Sequence, residues 1–365
     1  MSRRTAEHHE PLLRIVKRDS ISNARQWRIR AIAFICALLT GALVILCLGH
    51  NPLAVYVDMV VGALGTPTVQ KETVKIIIPL LITALGISIA FKMQFWNIGA
   101  EGQVLIGAVF AGYFAFFWDG LPKPLLILLM ILAGAVGGGL YGLLPAFFKS
   151  RWGTNETLFT LMLNYIALSF VKYLQNGPWK APQSQFPKMA MLSDNARLTK
   201  IFGVQWGWIL ALVLVVAMYI YMNKTKQGYE IAVVGESVNT ARYAGMNVGY
   251  IIRRTMFFSG AIAGVAGMLQ MSGSDYTITE GTAGGVGFTA ITVAWLAKMN
   301  PYAMLIVAAF IAILDRGSNK IQTTFKIPAS ASEVLTGILL FFMLGCEFFI
   351  NYRILTRKKR EEAAA

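Results

Sequence analysis

The chain has 365 residues; 56 % are hydrophobic and only 14 % are Asp, Glu, Lys or Arg. Soluble domains carry about 25 % charged residues, so too few charges remain here to cover a water-facing surface, and the composition points to a bilayer as solvent. The formal net charge of +15 suits a polyanion or an anionic membrane surface, and the placement of the charges decides between them.

A hydrocarbon core about 30 Å thick takes about 20 apolar residues per helix. Apolar runs cover 31–49, 76–91, 102–118, 124–148, 157–171, 201–223, 255–274, 281–297, 299–314 and 334–346. They predict an all-α polytopic membrane protein with about ten transmembrane or re-entrant helices. The last run reaches residue 352 if Glu347 lies at an interface or in a protein interior. Several runs are shorter than a full span, which leaves room for broken or re-entrant segments. The first starts too late and is too long for a cleaved signal peptide. The organisation read from this is a basic tail over 1–30, a transmembrane domain over 31–352 and a second tail over 353–365.

Two long connections interrupt the domain. An external loop over 175–206 carries Pro178, Pro182 and Pro187. An inner loop over 224–254 reads as one or two short helices, with Gly228, Gly235, Gly245 and Gly249 as punctuation. It is long for a plain connection and is the natural docking place for a cytoplasmic partner.

The basic residues fix the orientation. Both tails are placed inside: the first holds eight, among them Arg3, Arg4, Arg25, Arg28 and Arg30, and the second holds five, Arg353, Arg357, Lys358, Lys359 and Arg360. Inner loops add nine more, against nine outside, three of them in a 316–326 loop. This agrees with the positive-inside rule. Because the charges are divided among tails and short loops, no nucleic-acid partner is expected.

Catalysis and metal binding lack their residues. There is no G-x-x-x-x-G-K-[ST] loop for ATP. His8 and His9 sit in a charged tail, His50 stands alone, and Cys36, Cys47 and Cys346 lie in apolar runs. No nucleophile has a histidine base, so no enzyme and no cofactor in this chain are expected.

Three polar clusters fall within the membrane runs. In the first, Phe95, Trp96, Asn97, Glu101 and Gln103 surround Gly99 and Gly102. It reads either as a broken helix lining a solute path or as tight packing with Glu101 paired to another helix. In the second, Asn155 and Glu156 precede Thr160 and Asn164 at helical spacing. A cavity face is one reading, and a carboxylate at a helix N-terminus is the other for Glu156. The third holds Gly284, Gly285 and Gly287 before an apolar stretch and suggests a half-helix. Its Phe288 and Trp295 lie two turns apart, placed to stack on a flat solute or to pack. Glu101 and Glu347 keep a proton-coupled secondary carrier as an alternative.

Four blocks together resemble permease subunits of bacterial ATP-binding-cassette importers, in the branch shared by ribose, branched-chain amino-acid and nucleoside systems. Residues 95–108, FWNIGAEGQVLIGA, resemble the family's F-N-I-G-x-E-G-Q segment. Residues 155–167, NETLFTLMLNYIA, and 177–187, GPWKAPQSQFP, are similar to the nucleoside branch. Residues 228–248, GYEIAVVGESVNTARYAGMNV, resemble the coupling segment, with Ser237-Val238 where the family has Asn-Pro.

The resemblance implies a type II importer permease in the bacterial cytoplasmic membrane with both termini inside. It implies three partners: a second permease chain, a cytoplasmic ATPase that binds ATP and magnesium, and an extracytoplasmic solute-binding protein. It also implies coupling through Gly235, Glu236, Arg242, Tyr243, Gly245 and Met246. The solute it favours is a nucleoside, purine before pyrimidine, with ribose-type sugars and branched-chain amino acids as alternatives.

Overall fold

The computed structural model describes residues 13–18, 22–182 and 184–356. Arg3, Arg4, His8, His9, Arg357, Lys358, Lys359 and Arg360 lie outside the described residues. Strand β1 (Leu13–Lys17) precedes α1 (Asn23–Cys47) and α2 (Pro52–Leu64). Then come α3 (Pro67–Lys92), α4 (Ala100–Phe117), α5 (Lys123–Trp152) and α6 (Glu156–Asn176). A small ribbon, β2 (Lys200–Ile201) with β3 (Val204–Gln205), leads to α7 (Gly207–Lys224). Two short helices follow, α8 (Lys226–Glu236) and α9 (Val238–Tyr243). Next is α10 (Val248–Gln270), which ends in a π-helical turn, Met271–Asp275. The order closes with α11 (Val286–Leu296), α12 (Pro301–Thr324), α13 (Ala329–Asn351) and β4 (Tyr352–Thr356). Nine of the described helices are long and apolar enough to cross a membrane; α2 and α11 are apolar but shorter.

The described residues up to 58 and from 318 form one compact unit. Here α1 packs along α13, and β1 pairs antiparallel with β4, Leu13 opposite Thr356. Arg30 Nη2 donates to Glu347 Oε1 at 2.9 Å. A paired carboxylate is tolerated away from water, which is how α13 continues past Glu347 to Asn351. Since β1 and β4 lie side by side, the chain leaves and returns at one end of this unit.

Residues 59–317 form the second unit. Helix α3 is buried all round from Ile78 to Phe91, the mark of a central helix. Helices α5 and α10 meet along a seam of small residues. A Cβ on Gly264 would overlap the Gly134 carbonyl, and one on Gly138 would overlap that of Gly260. Helix association in a bilayer rests on such close backbone approach, because lipid supplies no hydrophobic drive between helices.

The 281–297 run is a half-helix: α11 covers only its second part, after the non-helical stretch 276–285. The Tyr276 carbonyl accepts from Leu192 N–H at 2.8 Å, in the loop between α6 and α7. At its other end Trp295 lies against Phe91 and Trp96, beside the α3–α4 junction. The non-helical run 276–285 and α11 together pass from one end of this unit to the other.

Several helices outrun their apolar stretches. Helix α1 starts at Asn23 and carries Arg25, Arg28 and Arg30, and α12 carries Arg316 and Lys320, expected in a loop, on its last turns. Charged residues near helix ends can reach out to the interface, so a charge does not end a helix. Helix α2 has no counterpart in the sequence reading: its 13 residues span only about 20 Å, below a crossing, and Asp58 interrupts them.

Candidate functional site

The α3–α4 junction is a break held by a network of side-chain hydrogen bonds. Asn97 is fully buried. Its Nδ2 donates to Gln103 Oε1 at 3.1 Å and to Ser259 Oγ at 3.4 Å, while its Oδ1 accepts from Gly99 N–H at 3.1 Å. Asn164 clamps the break to α6: its Oδ1 accepts from Gly102 N–H and its Nδ2 donates to the Ile98 carbonyl, both at 2.9 Å. Thr160 Oγ1 accepts from Ile98 N–H at 3.2 Å. The sequence reading placed Asn97, Gln103 and Asn164 on a solute path. The structure brings them together as a buried network that holds the break open.

Glu101 reaches across to α11. Its two carboxylate oxygens accept from Gly285 N–H and Gly287 N–H, each at 2.7 Å. The first N–H groups of a helix have no intrahelical acceptor, and a carboxylate there also meets the positive end of the dipole. Gly287 has to be glycine, because a Cβ would overlap the Glu101 backbone. Glu101 is thus paired, as one of its two sequence readings had it, but to backbone rather than to a charge.

Below this lock lies an aromatic cluster. Trp96 and Trp295 stack with centroids 5.5 Å apart and planes 23° from parallel, and Phe91 tilts against both at 5.6 and 6.0 Å. Each indole is 42 % exposed. Phe288, also exposed, continues the same face of α11 as Trp295, opposite the buried Gly287, Ala290 and Ala294. Phe91 was not singled out from sequence, since it closes an apolar run and carries no polar signal.

Asn155 and Glu156 sit apart from that cluster, at the start of α6. Asn155 caps the helix, its Oδ1 accepting from Thr157 and Leu158 N–H at 3.1 and 3.2 Å. Glu156 pairs with Lys149 at 2.7 Å. A cavity of about 300 Å³ joins this pair to Gln94, Phe95, Glu236 and Ser237. Phe95 is 3 % exposed and packs with Ile231, Val234 and Ala241 of the α8–α9 segment.

The inner loop folds as two short helices, as its composition predicted. Polar caps, not glycines, set most of its boundaries: Thr225 accepts from Gly228 N–H at 3.1 Å, Ser237 from Thr240 N–H at 3.2 Å and Asn247 from Tyr250 N–H at 3.0 Å. Of the four glycines read as punctuation, only Gly245 turns the chain, at φ +75°. Gly228 and Gly235 are close-packing points, facing the Met222 and Lys92 carbonyls, and Gly249 lies within α10. On α9, Ala241 is the buried anchor while Arg242 and Tyr243 stand out; Tyr243 is 93 % exposed. Glu236 is exposed at the end of α8, and Met246 packs back onto the cluster.

The long loop between α6 and α7 covers helix ends: Trp179 packs on Phe116 and Phe117, and Leu198 N–H donates to the Ser272 carbonyl at 3.1 Å.

Nine described helices long and apolar enough to cross a membrane, a half-helix locked to an internal polar break, and an exposed two-helix segment fit a polytopic membrane permease. The chain belongs to the family described as branched-chain amino acid transport system / permease component, whose model matches residues 72–344. It is 31 % identical to the glucose ABC transporter permease protein of Haloferax volcanii, over 88 % of this chain and 87 % of that one. It is 29 % identical to the nucleoside ABC transporter permease protein of Lactococcus lactis subsp. cremoris, over 94 % and 100 %. It is 31 % identical to the guanosine ABC transporter permease protein of Bacillus subtilis, over 86 % and 91 %. The chain is therefore a transport subunit of the ATP-binding-cassette importer class and not an enzyme, with ATP hydrolysis on a separate subunit.

Proposed function

We propose that this chain forms the path for nucleosides, purine nucleosides foremost, through the bacterial cytoplasmic membrane. The observation that carries this reading is the half-exposed Trp96–Trp295 stack on Phe91, with Phe288 further along the same helix. Indole faces suit a planar base, since stacking needs area and not a fixed hydrogen-bond pattern. The nucleoside and guanosine permeases among its relatives support the same solute. In this reading Trp96, Phe288 and Trp295 face the solute, while the Asn97, Glu101 and Asn164 contacts keep the path in shape.

The chain works as one of two permease subunits, fed by an extracytoplasmic binding protein and driven by an ATPase that holds ATP and magnesium. Both ends of the membrane domain face the cytoplasm, in accord with the basic tails. Helix α9 offers Arg242 and Tyr243 to the ATPase. Arg242→Glu should weaken ATPase association about tenfold in a pull-down from membranes while the permease level stays unchanged; unchanged association removes Arg242 from the interface.

The glucose permease relative favours a second reading, a sugar path, because aromatic faces also cover sugar rings. Uptake by the assembled importer in proteoliposomes separates the two. Labelled guanosine should be taken up, other purine nucleosides should compete, and a catalytically dead ATPase should abolish uptake. Competition by glucose or ribose, with none by guanosine or adenosine, moves the solute to sugars.

A further inference from the structure

We infer that Phe95 is the positioning residue that ties the α8–α9 segment to the Trp96–Trp295 stack, so that motion of the docking segment moves the aromatic cluster directly. The inference rests on the reading of α8–α9 as the ATPase docking segment. It starts from the turn 93–97, which both features share.

On one side the turn is fixed to α8 and α9. Gly235 lies so close to the Lys92 carbonyl that a Cβ would overlap it, with Met93 Cα at 3.2 Å from the same point. Met93 and Phe95 are buried in one apolar cluster with Ile231 and Val234 of α8, Ala241 of α9 and Val248 of α10. Lys92 Nζ also donates to the Met222 carbonyl at 3.2 Å, where α7 approaches α8.

On the other side the turn is fixed to the path. Trp96, the next residue, stacks on Trp295 of α11. Asn97 is held by Gln103 and Ser259, and Glu101 holds the first N–H groups of α11. Phe95 points into the cluster while Trp96 points out of it, so a single peptide unit separates the two attachments.

The turn itself is stiff. Gln94 sits at φ +61°, a conformation that L-residues adopt at a cost and that its surroundings hold in place. Gln94 N–H donates to the Phe91 carbonyl at 2.9 Å and Phe95 N–H to that of Ala90 at 3.0 Å. A packed interior transmits displacement instead of absorbing it. With no loose residue between Phe95 and Trp96, rocking of α8–α9 reaches the stack and, through Trp295, α11.

The test measures solute moved per ATP hydrolysed in the assembled importer. Phe95→Ala should keep ATP hydrolysis and lower this ratio about tenfold, because the cluster loses the side chain that grips the turn. Gln94→Gly removes no packing and only loosens the turn, so it should lower the ratio about threefold at unchanged melting temperature. If Phe95→Ala does not assemble, Gln94→Gly decides alone. A wild-type ratio in Gln94→Gly, or uptake and hydrolysis falling together in Phe95→Ala, overturns the link. Arg242→Glu in the same assay keeps the two readings apart. ATPase that stays bound there counts against the docking reading at Arg242, whereas release of ATPase there with a wild-type ratio in Gln94→Gly refutes the link alone.

Discussion

Valine in place of Gly264 should leave little folded permease in the membrane. A Cβ at this position overlaps the Gly134 carbonyl and comes within 3.0 Å of Gly138 Cα; both are backbone atoms on α5, which no rotamer change can move aside. The clash is mutual, since a Cβ on Gly138 would in turn run into the Gly264 backbone. Overpacking a core costs about 1–3 kcal/mol even where side chains can shift. Here α5 and α10 would have to separate and lose the close contact that bilayer packing depends on. The yield of monodisperse protein in mild detergent should drop several-fold. Gly337→Val is the matched control, because its site is open and its yield should match wild type. A normal yield for Gly264→Val would mean that the seam is looser than its geometry.

Removing the Glu101 carboxylate should have the largest effect on transport without unfolding the chain. Glu101→Ala leaves Gly285 and Gly287 N–H without their acceptors, and each charge-assisted hydrogen bond contributes about 1.5–3 kcal/mol. Uptake should fall at least about tenfold and the melting temperature should drop by several degrees, with the chain still folded because α11 keeps its packing on α3. Glu101→Gln should fall between wild type and Ala: its carbonyl oxygen can accept from one N–H, while its NH₂ faces the other. A carboxylate that shuttled protons would give a different order, with Gln as inactive as Ala. Both of its oxygens already accept from backbone N–H, an arrangement that suits a lock.

The sequence made the spans legible because long charge-free runs have few alternatives, and the three polar clusters stood out against them. It also pointed to the half-helix, through Gly284, Gly285 and Gly287 standing directly before a short apolar stretch. What each polar residue does was not legible. The partners of Glu101 lie 184 and 186 residues away, and that distance leaves no local signal. Met246 reads as an exposed apolar contact, yet it turns back onto the cluster around Ala241, because Gly245 reverses the chain just before it. Spacing shows that Gly134 and Gly138, or Gly260 and Gly264, share a face, but not which helix meets that face. Helix α2 was lost for a simpler reason: a hydropathy run looks for spans, and this helix is not one.

The Arg30–Glu347 pair joins positions 317 residues apart. At ordinary elongation rates the ribosome needs about 15–60 s to cover that interval. Throughout it, α1 sits in the membrane with a guanidinium whose carboxylate has not yet been made, and β1 has no strand beside it. Helix α1 is therefore secured to α13 through this pair only once almost the whole membrane domain has been made.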